Sequence, residues 1–210
     1  MTDETYATLA GRGRAAFEIR GSEFVGRAAP ATDREAAEAF VAEIRAEYAD
    51  ATHNVPAYRV RAEGGDLLRE YGDDDGEPSG SAGKPALNVL QQQGIENAVA
   101  VVTRYYGGTN LGVGGLARAY SRAVTEAVEN AGVVTERPHE TFAVTVAYDD
   151  SGTVRGILES AGGDGDVEFD ATYEAQVDFD VRVPRAEGDA LRDRIRSATS
   201  GRAEIGEDSD

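Results

Sequence analysis

Residues 71 to 120 read YGDDDGEPSGSAGKPALNVLQQQGIENAVAVVTRYYGGTNLGVGGLARAY and contain ten of the chain's 25 glycines. These glycines form two loops, and each loop runs into a helical pattern. Between the loops lies an apolar run, Ala98 to Thr103, which is typical of a strand buried on both faces. A glycine-rich loop that opens a helix leaves N–H groups unpaired at the positive end of the helix dipole. The pattern therefore predicts two loops that converge on one anionic target.

The residues around the second loop suit nucleic-acid binding as well. Arg104, Tyr105 and Tyr106 follow the apolar strand, and Arg118 and Tyr120 lie in the next helix. Aromatic rings stack on unpaired bases, and guanidinium groups meet phosphates or base planes. The alternative is that the glycines only allow tight turns and close packing, in which case neither loop binds a ligand.

Two segments of this stretch carry a family resemblance. The segments are DDGEPSGSAGKP at Asp74 to Pro85 and RYYGGTNLGVGGLARAY at Arg104 to Tyr120, and they resemble the signature of the IMPACT family, also called the YigZ family. Weaker similarity is found in GSEFVGRA at Gly21 to Ala28 and in AEYADATHNVPAYRV at Ala46 to Val60, which includes His53. The resemblance covers residues 15 to 135.

The resemblance implies both a fold and a role. The fold is α+β: a two-layer α/β domain like domain 2 of ribosomal protein S5, followed by a small ferredoxin-like domain. The role is regulatory, because eukaryotic members interfere with activation of the amino-acid-starvation kinase by competing for its activator. Those members carry an RWD domain ahead of the motifs, and none is recognised in this sequence. RNA, the ribosome or a translation-associated protein is therefore the expected partner.

The composition indicates the salt conditions and the cellular compartment in which the protein works. The chain has 39 acidic and 21 basic residues, a net charge of −18, no cysteine, and Lys84 as its only lysine. At molar salt the Debye length is about 3 Å, so such an acidic surface no longer repels itself strongly. We interpret the composition as that of a halophile's protein. Without a signal peptide or an apolar run long enough to cross a bilayer, it is predicted to be cytoplasmic, with no membrane partner.

The periodicity divides the chain into a flexible leader over residues 1–14, a first domain over residues 15–137 and a second over residues 139–206. Apolar spacing gives the order ββαβαβα for the first domain. Its predicted elements are a hairpin over residues 15–28, a helix over 32–48, a strand over 54–63, a helix with Pro85 in its first turn, a strand over 98–103 and a helix over about 115–131.

The second domain is predicted to be βαββαβ, the ferredoxin-like plan. Its predicted elements are a strand over residues 142–148, a helix over 154–161, strands over 167–173 and 177–183, a helix around 191–195 and a short strand over 203–205.

Several chemistries were weighed against the motif spacing. Proline at positions 78 and 85 conflicts with a phosphate-binding P-loop. Gly112, Gly114 and Ala117 fit a short dinucleotide pattern, but no acidic residue ends a clear next strand. The carboxylates from Asp73 to Glu77 suit Mg²⁺, but a solvated acidic turn accounts for them better. We therefore predict no metal and no cofactor.

The leading hypothesis is a non-catalytic binding protein that acts in translation or its stress response. The alternative is an enzyme acting on a small phosphorylated or carboxylated substrate held by the two loops and Lys84. In either case the candidate ligand-binding residues are Asp74, Asp75, Glu77, Ser79, Gly80, Ser81, Gly83, Lys84, Arg104, Tyr105, Tyr106, Gly107, Gly108, Gly112, Gly114, Gly115 and Arg118, with His53 as a further candidate.

Overall fold

The computed structural model describes residues 5–61, 67–164 and 167–207, and the chain divides into two compact units. The first unit is Tyr6–Glu136, and the second is built on the residues from Arg137 onward. Residues 1–4 of the predicted leader and residues 62–63 of the predicted third strand lie outside the described residues. No helix in the described ranges is both long enough and apolar enough to cross a membrane.

The first unit alternates strands with helices. Its elements are β1 (Tyr6–Leu9), β2 (Gly13–Ile19), β3 (Ser22–Pro30), α1 (Arg34–Glu47), β4 (His53–Arg61), β5 (Leu68–Gly72), α2 (Gly83–Gln92), β6 (Ala98–Tyr105), α3 (Val113–Ala131) and β7 (Val133–Glu136).

The described residues of this unit form an antiparallel sheet in the order β2-β3-β6-β4-β5, and β1 pairs separately with β7. The apolar run predicted as a buried strand is the central strand β6, and Ala98 to Arg104 are all buried. In the register, Arg104 near the end of β6 lies opposite Phe24 of β3 and His53 of β4. Arg104 therefore lies on the central strand between residues of its two neighbours, β3 and β4.

Helices cover both faces of the sheet. α2 and α3 pack on one face, where Phe24, Val102, Leu90 and Tyr120 belong to a continuous core. α1 packs on the other face against Val99, Val101 and the ends of β3 and β4. Burial on both faces explains why β6 is apolar throughout instead of alternating.

α3 lies directly against the backbone of the hairpin formed by β2 and β3. A Cβ atom added to Gly13 would lie 2.0 Å from the carbonyl oxygen of Ala127, and one added to Gly26 would lie 2.2 Å from that of Ala123. Only glycine allows so close an approach, and it brings the C-terminal half of α3 against the β2–β3 hairpin.

The structure corrects the prediction for the N-terminal segment. Residues 6–9, which fall in the predicted flexible leader, form β1 and pair with β7, and β2 begins at Gly13. The described part of the leader therefore belongs to the fold. β5 and β7 were not predicted, because each is short and mostly exposed and lacks an alternating apolar pattern.

The second unit has the predicted βαββαβ order, and the predicted fold class is confirmed for the chain as a whole. The elements are β8 (His139–Val146), α4 (Tyr148–Ala161), β9 (Glu168–Tyr173), β10 (Val177–Pro184), α5 (Arg185–Ala198) and β11 (Glu204–Glu207). The sheet has the order β11-β8-β10-β9. Tyr148, predicted to end the first strand, instead begins a helix.

The close packing of α3 predicts the effect of a single methyl group. Gly26→Ala should lower the free energy of unfolding by about 3 kcal/mol, because two backbone segments must separate to admit the Cβ atom. Gly11→Ala is the matched control, since a Cβ atom at Gly11 would have no neighbour within 4 Å. Urea denaturation compares the two variants, and equal stability for both would contradict the packing described here.

Candidate functional site

A buried ion pair connects the two glycine loops. The Nη1 atom of Arg104 donates to Oε1 of Glu77 at 2.5 Å, and the two side chains are only 5% and 4% exposed. Glu77 belongs to the first loop, and Arg104 lies at the end of β6, just before the second. Because charges this deeply buried require partners, the pair fixes the first loop to the centre of the sheet.

Further side chains complete the polar cluster around this pair. Tyr120 of α3 donates its hydroxyl to the same Glu77 oxygen at 2.8 Å, and Nη2 of Arg104 donates to Oγ of Ser22 at 3.2 Å. Burial first, and then the charge of Glu77, raise the pKa of Tyr120, so that its hydroxyl stays protonated and donates. The guanidinium of Arg104 also lies 5.4 Å from the ring centroid of Phe24 and 5.2 Å from that of Tyr106.

Ser22 extends the cluster to the second loop. Its Oγ atom accepts a hydrogen bond from the backbone N–H of Gly107 at 3.1 Å. A Cβ atom at Gly107 would lie 2.0 Å from the backbone of Gly21, so this glycine is required by close packing against the β2–β3 turn. Glu77, Arg104 and Ser22 therefore connect the two loops, whereas a shared anionic target for both loops stays a prediction.

The first loop supplies its own anion. The carboxylate of Asp74 accepts from the backbone N–H groups of Gly80, Ala82 and Gly83, at distances between 2.6 and 3.0 Å. Burial alone raises the pKa of Asp74, but these three bonds outweigh it and lower the pKa below its ordinary range. The sequence pattern predicted that the backbone N–H groups at the start of α2 would be free to bind an external anion. Those of Gly80, Ala82 and Gly83 are instead bonded to Asp74, which takes the place of the side-chain cap that Ala82 lacks.

Asp75 and His53 also serve the fold of the first loop. The carboxylate of Asp75 accepts from the backbone N–H of Asn54 at 2.7 Å and from Arg45 at 3.2 Å. Nδ1 of His53 lies 2.7 Å from the carbonyl oxygen of Asp75, and its Nε2 lies 3.9 Å from Oε2 of Glu77. His53 is therefore a hydrogen-bonded neighbour of the cluster.

The second loop has no internal anion of this kind. It leads into α3, whose cap residue Gly112 has φ 73° and offers no side chain, and the first turn contains no acidic residue. Gly114 and Gly115 occupy that first turn, and Gly108 has φ 85°. The N–H groups of the first turn of α3 therefore have no capping side chain.

The cations near the loops lie at the surface. Lys84 and Arg118 are exposed, and within the described residues neither forms a hydrogen bond or an ion pair. Nη1 of Arg118 lies 3.5 Å from the position that a Cβ atom of Gly114 would take, so its guanidinium folds back over the start of α3. A cation at the positive end of a helix is unfavourable unless an anion joins it.

The remaining candidates divide between surface and interior. Tyr106 is 45% exposed, and its hydroxyl donates to Asn110. Tyr105 donates to Asp50, and this hydrogen bond raises its pKa. Ser79 is exposed, whereas Ser81 is fully buried and its Oγ atom lacks a partner among the described residues, as does Nε of Arg104.

Two members of the cluster are not among the candidate ligand-binding residues. Ser22 lies in the weaker similarity at Gly21 to Ala28, and Tyr120, named above with the residues that suit nucleic-acid binding, is instead buried with its hydroxyl bonded to Glu77. Both residues lie in segments that carry the family resemblance, which is the signal that the sequence offered for them. No group of three or more His, Asp or Glu side chains in the described ranges is arranged to hold a metal ion.

Comparison with models of known protein families identifies the two domains of this chain. The Impact N-terminal domain matches residues 20–128, and a domain of unknown function (DUF1949) matches residues 144–202. The chain belongs to the IMPACT family.

Relatives of similar length match nearly the whole chain. IMPACT family member YvyE of Bacillus subtilis is 32% identical over 206 residues, 97% of this chain and 91% of the relative. IMPACT family member YigZ of Escherichia coli is 36% identical over 170 residues, 80% of this chain and 81% of the relative. A crystal structure described as a hypothetical protein superposes with a TM-score of 0.71 at 30% identity, over 99% of this chain and 98% of that one. The resemblance seen in the two motifs is thereby confirmed.

Asp74→Asn tests the internal cap of the first loop. The pKa of Asp74 is lowered in the folded protein, so its contribution is complete above the ordinary value of 3.8 and is lost as the pH falls through the folded-state pKa. At neutral pH the variant should lose about 1 to 2 kcal/mol of unfolding free energy. Denaturation at several pH values should show this difference shrinking below about pH 4. Glu18→Gln, at an exposed position of β2, should change stability little at any pH.

Glu77→Gln tests the buried ion pair. Removing the carboxylate charge leaves Arg104 buried and uncompensated, which should cost about 3 to 5 kcal/mol. The double variant with Arg104→Met should lose less than the sum of the single losses, and a double-mutant cycle measures the coupling. Glu43→Gln breaks the exposed pair with Arg12 and should cost at most about 1 kcal/mol. A similar loss for both glutamates would contradict the role assigned to burial.

Proposed function

We propose that this protein is a non-catalytic binding protein that acts in translation or its stress response. The proposal starts from membership in the IMPACT family, whose eukaryotic members the motif resemblance associates with a regulatory role. It extends that role to a chain whose matched relatives have about the same length as itself. The expected partner is RNA, the ribosome or a translation-associated protein.

The observation that carries the proposal is that the acidic groups of the first loop are bonded inside the fold, whereas the cations near the loops are exposed. Asp74, Asp75 and Glu77 all form hydrogen bonds within the fold, and Arg104 is buried with Glu77. Among the groups at the surface, beside the exposed Asp73, are the start of α3, the ring of Tyr106 and the cations Lys84 and Arg118. These exposed groups suit contact with a partner, and they lie on a scaffold that the buried cluster holds rigid.

The same observation weakens the alternative of an enzyme at the two loops. A general acid or base must reach a substrate atom, directly or through one water. The carboxylate of Glu77 is 4% exposed and bonded to two side chains, and that of Asp74 is occupied by three backbone N–H groups. The groups that the alternative requires for proton transfer are therefore engaged inside the fold.

Affinity isolation from the native host tests the proposal. Tagged protein, purified in about molar KCl to keep the acidic surface screened, should co-sediment with ribosomes or recover components of the translation machinery. A fold-preserving control is the Glu43→Gln variant, which alters only an exposed pair. Recovery of no ribosomal RNA, ribosomal protein or translation factor above an unrelated acidic protein would overturn the proposal. Stabilisation by a small phosphorylated metabolite in a thermal-shift assay would favour the enzyme instead.

A further inference from the structure

Charge is distributed unevenly along this acidic chain. Residues 78–125 contain four basic residues and one acidic residue, Glu96, whereas the rest of the chain contains 17 basic and 38 acidic residues. Glu96 is only partly exposed and is paired with Arg61. Every fully exposed position from 78 to 125 is therefore uncharged or basic, in a protein whose net charge is −18.

The structure gathers much of this segment into one surface, which we call the α2–α3 face. Ser121 of α3 donates its hydroxyl to the carbonyl oxygen of Pro85 at 3.2 Å, so the first turn of α2 lies beside the middle of α3. Lys84 directly precedes that contact, and Arg118 lies one turn earlier on α3. We define the α2–α3 face by Lys84, Asn88, Gln92, Tyr106, Arg118 and Ser121, all exposed or partly exposed.

We propose that the α2–α3 face binds the phosphate backbone of single-stranded RNA, an inference that rests on the proposed role in translation and names its partner. Lys84 and Arg118 are exposed cations without partners in the described residues. Arg118 folds back over the uncapped start of α3, so that a guanidinium lies beside a helix turn whose N–H groups have no capping side chain. A phosphate satisfies both, because guanidinium and helix N-termini are both good phosphate ligands.

Tyr106 makes a single strand the better fit than a duplex. Its ring is 45% exposed, and contacts with Arg104 on one side and Asn110 at the hydroxyl hold it in the loop that leads into α3. An exposed ring held in place can stack on a base, but only on a base that is unpaired and splayed out. The combination of phosphate ligands and a stacking ring is that of a single-strand binding surface.

Binding of the full chain to a labelled single-stranded RNA of about 16 nucleotides, with the duplex of the same length for comparison, tests the inference by fluorescence anisotropy. The single strand should bind more tightly than the duplex. Tyr106→Ala should weaken binding about tenfold in both low and molar KCl, because stacking does not depend on salt. Lys84→Glu with Arg118→Glu should weaken it about tenfold or more near 0.2 M KCl and reduce the salt dependence.

A matched control separates local contact from net charge. Arg14→Glu with Arg69→Glu makes the same change in charge at exposed positions of β2 and β5. Their neighbours Gly13 and Glu70 face α3 and α2, so Arg14 and Arg69 point to the opposite side of the sheet. Affinity within about twofold of the unmodified chain is expected. An equal loss in this control, or no binding by the unmodified chain, would overturn the inference.

Ribosome co-sedimentation of the same variants distinguishes this inference from the proposed function. If the Lys84→Glu, Arg118→Glu variant still associates with ribosomes as the unmodified chain does, the α2–α3 face is not the RNA surface although the role in translation stands. If association is lost but the isolated RNA never binds, the face docks a protein and the inference is wrong. If even the unmodified chain recovers no translation component, the proposed function itself fails.

Discussion

The ion pair between Glu77 and Arg104 is the interaction on which the arrangement of the first unit depends. Each charge is almost fully removed from water, which costs several kcal/mol unless the partner and additional hydrogen bonds compensate. Tyr120 and Ser22 supply those bonds from α3 and β3. Because the four groups come from different parts of the chain, the first loop, the central strand and the start of the second loop hold their positions only together.

The two glycine loops look alike in sequence but differ in what satisfies them. Both open a helix, and both therefore present backbone N–H groups to an acceptor. In the first loop Asp74 is that acceptor, and since it belongs to the same chain it is always present at high effective concentration. The second loop has no acid near the start of α3, so its N–H groups have no capping side chain. This difference gives the first loop a structural role and supports the proposal that the second loop contacts a partner.

Much of the fold followed from the sequence, because apolar periodicity reports burial. The continuous run from Ala98 to Thr103 predicted the central strand, and alternation predicted the order of the second unit. β5 and β7 lie at exposed margins, where no core imposes a pattern, and β1 has only four residues, of which Thr8 and Leu9 are buried. The site was harder, since the sequence identifies loop residues but not their partners. Nothing in DDGEPSG indicates that Asp74 turns back onto Gly80 and Gly83, because that bond depends on loop geometry.

The acidity of the whole chain has to be separated from acidity that concerns a partner. The chain has 39 acids in 210 residues, and at that frequency the 48 residues from 78 to 125 would carry about nine. Burial accounts for their absence in β6, but not for the neutral or basic exposed positions of α2 and of α3 as far as Arg122; Glu126 and Glu129 lie in the last part of α3. If the protein works at molar salt, charges interact over about 3 Å, and long-range attraction does not explain why this segment has so few acids. Contact explains it, because a carboxylate beside a bound phosphate repels it within that distance and must lose its own hydration. A segment with few exposed acids is thus the pattern that the proposed binding of an anionic polymer requires.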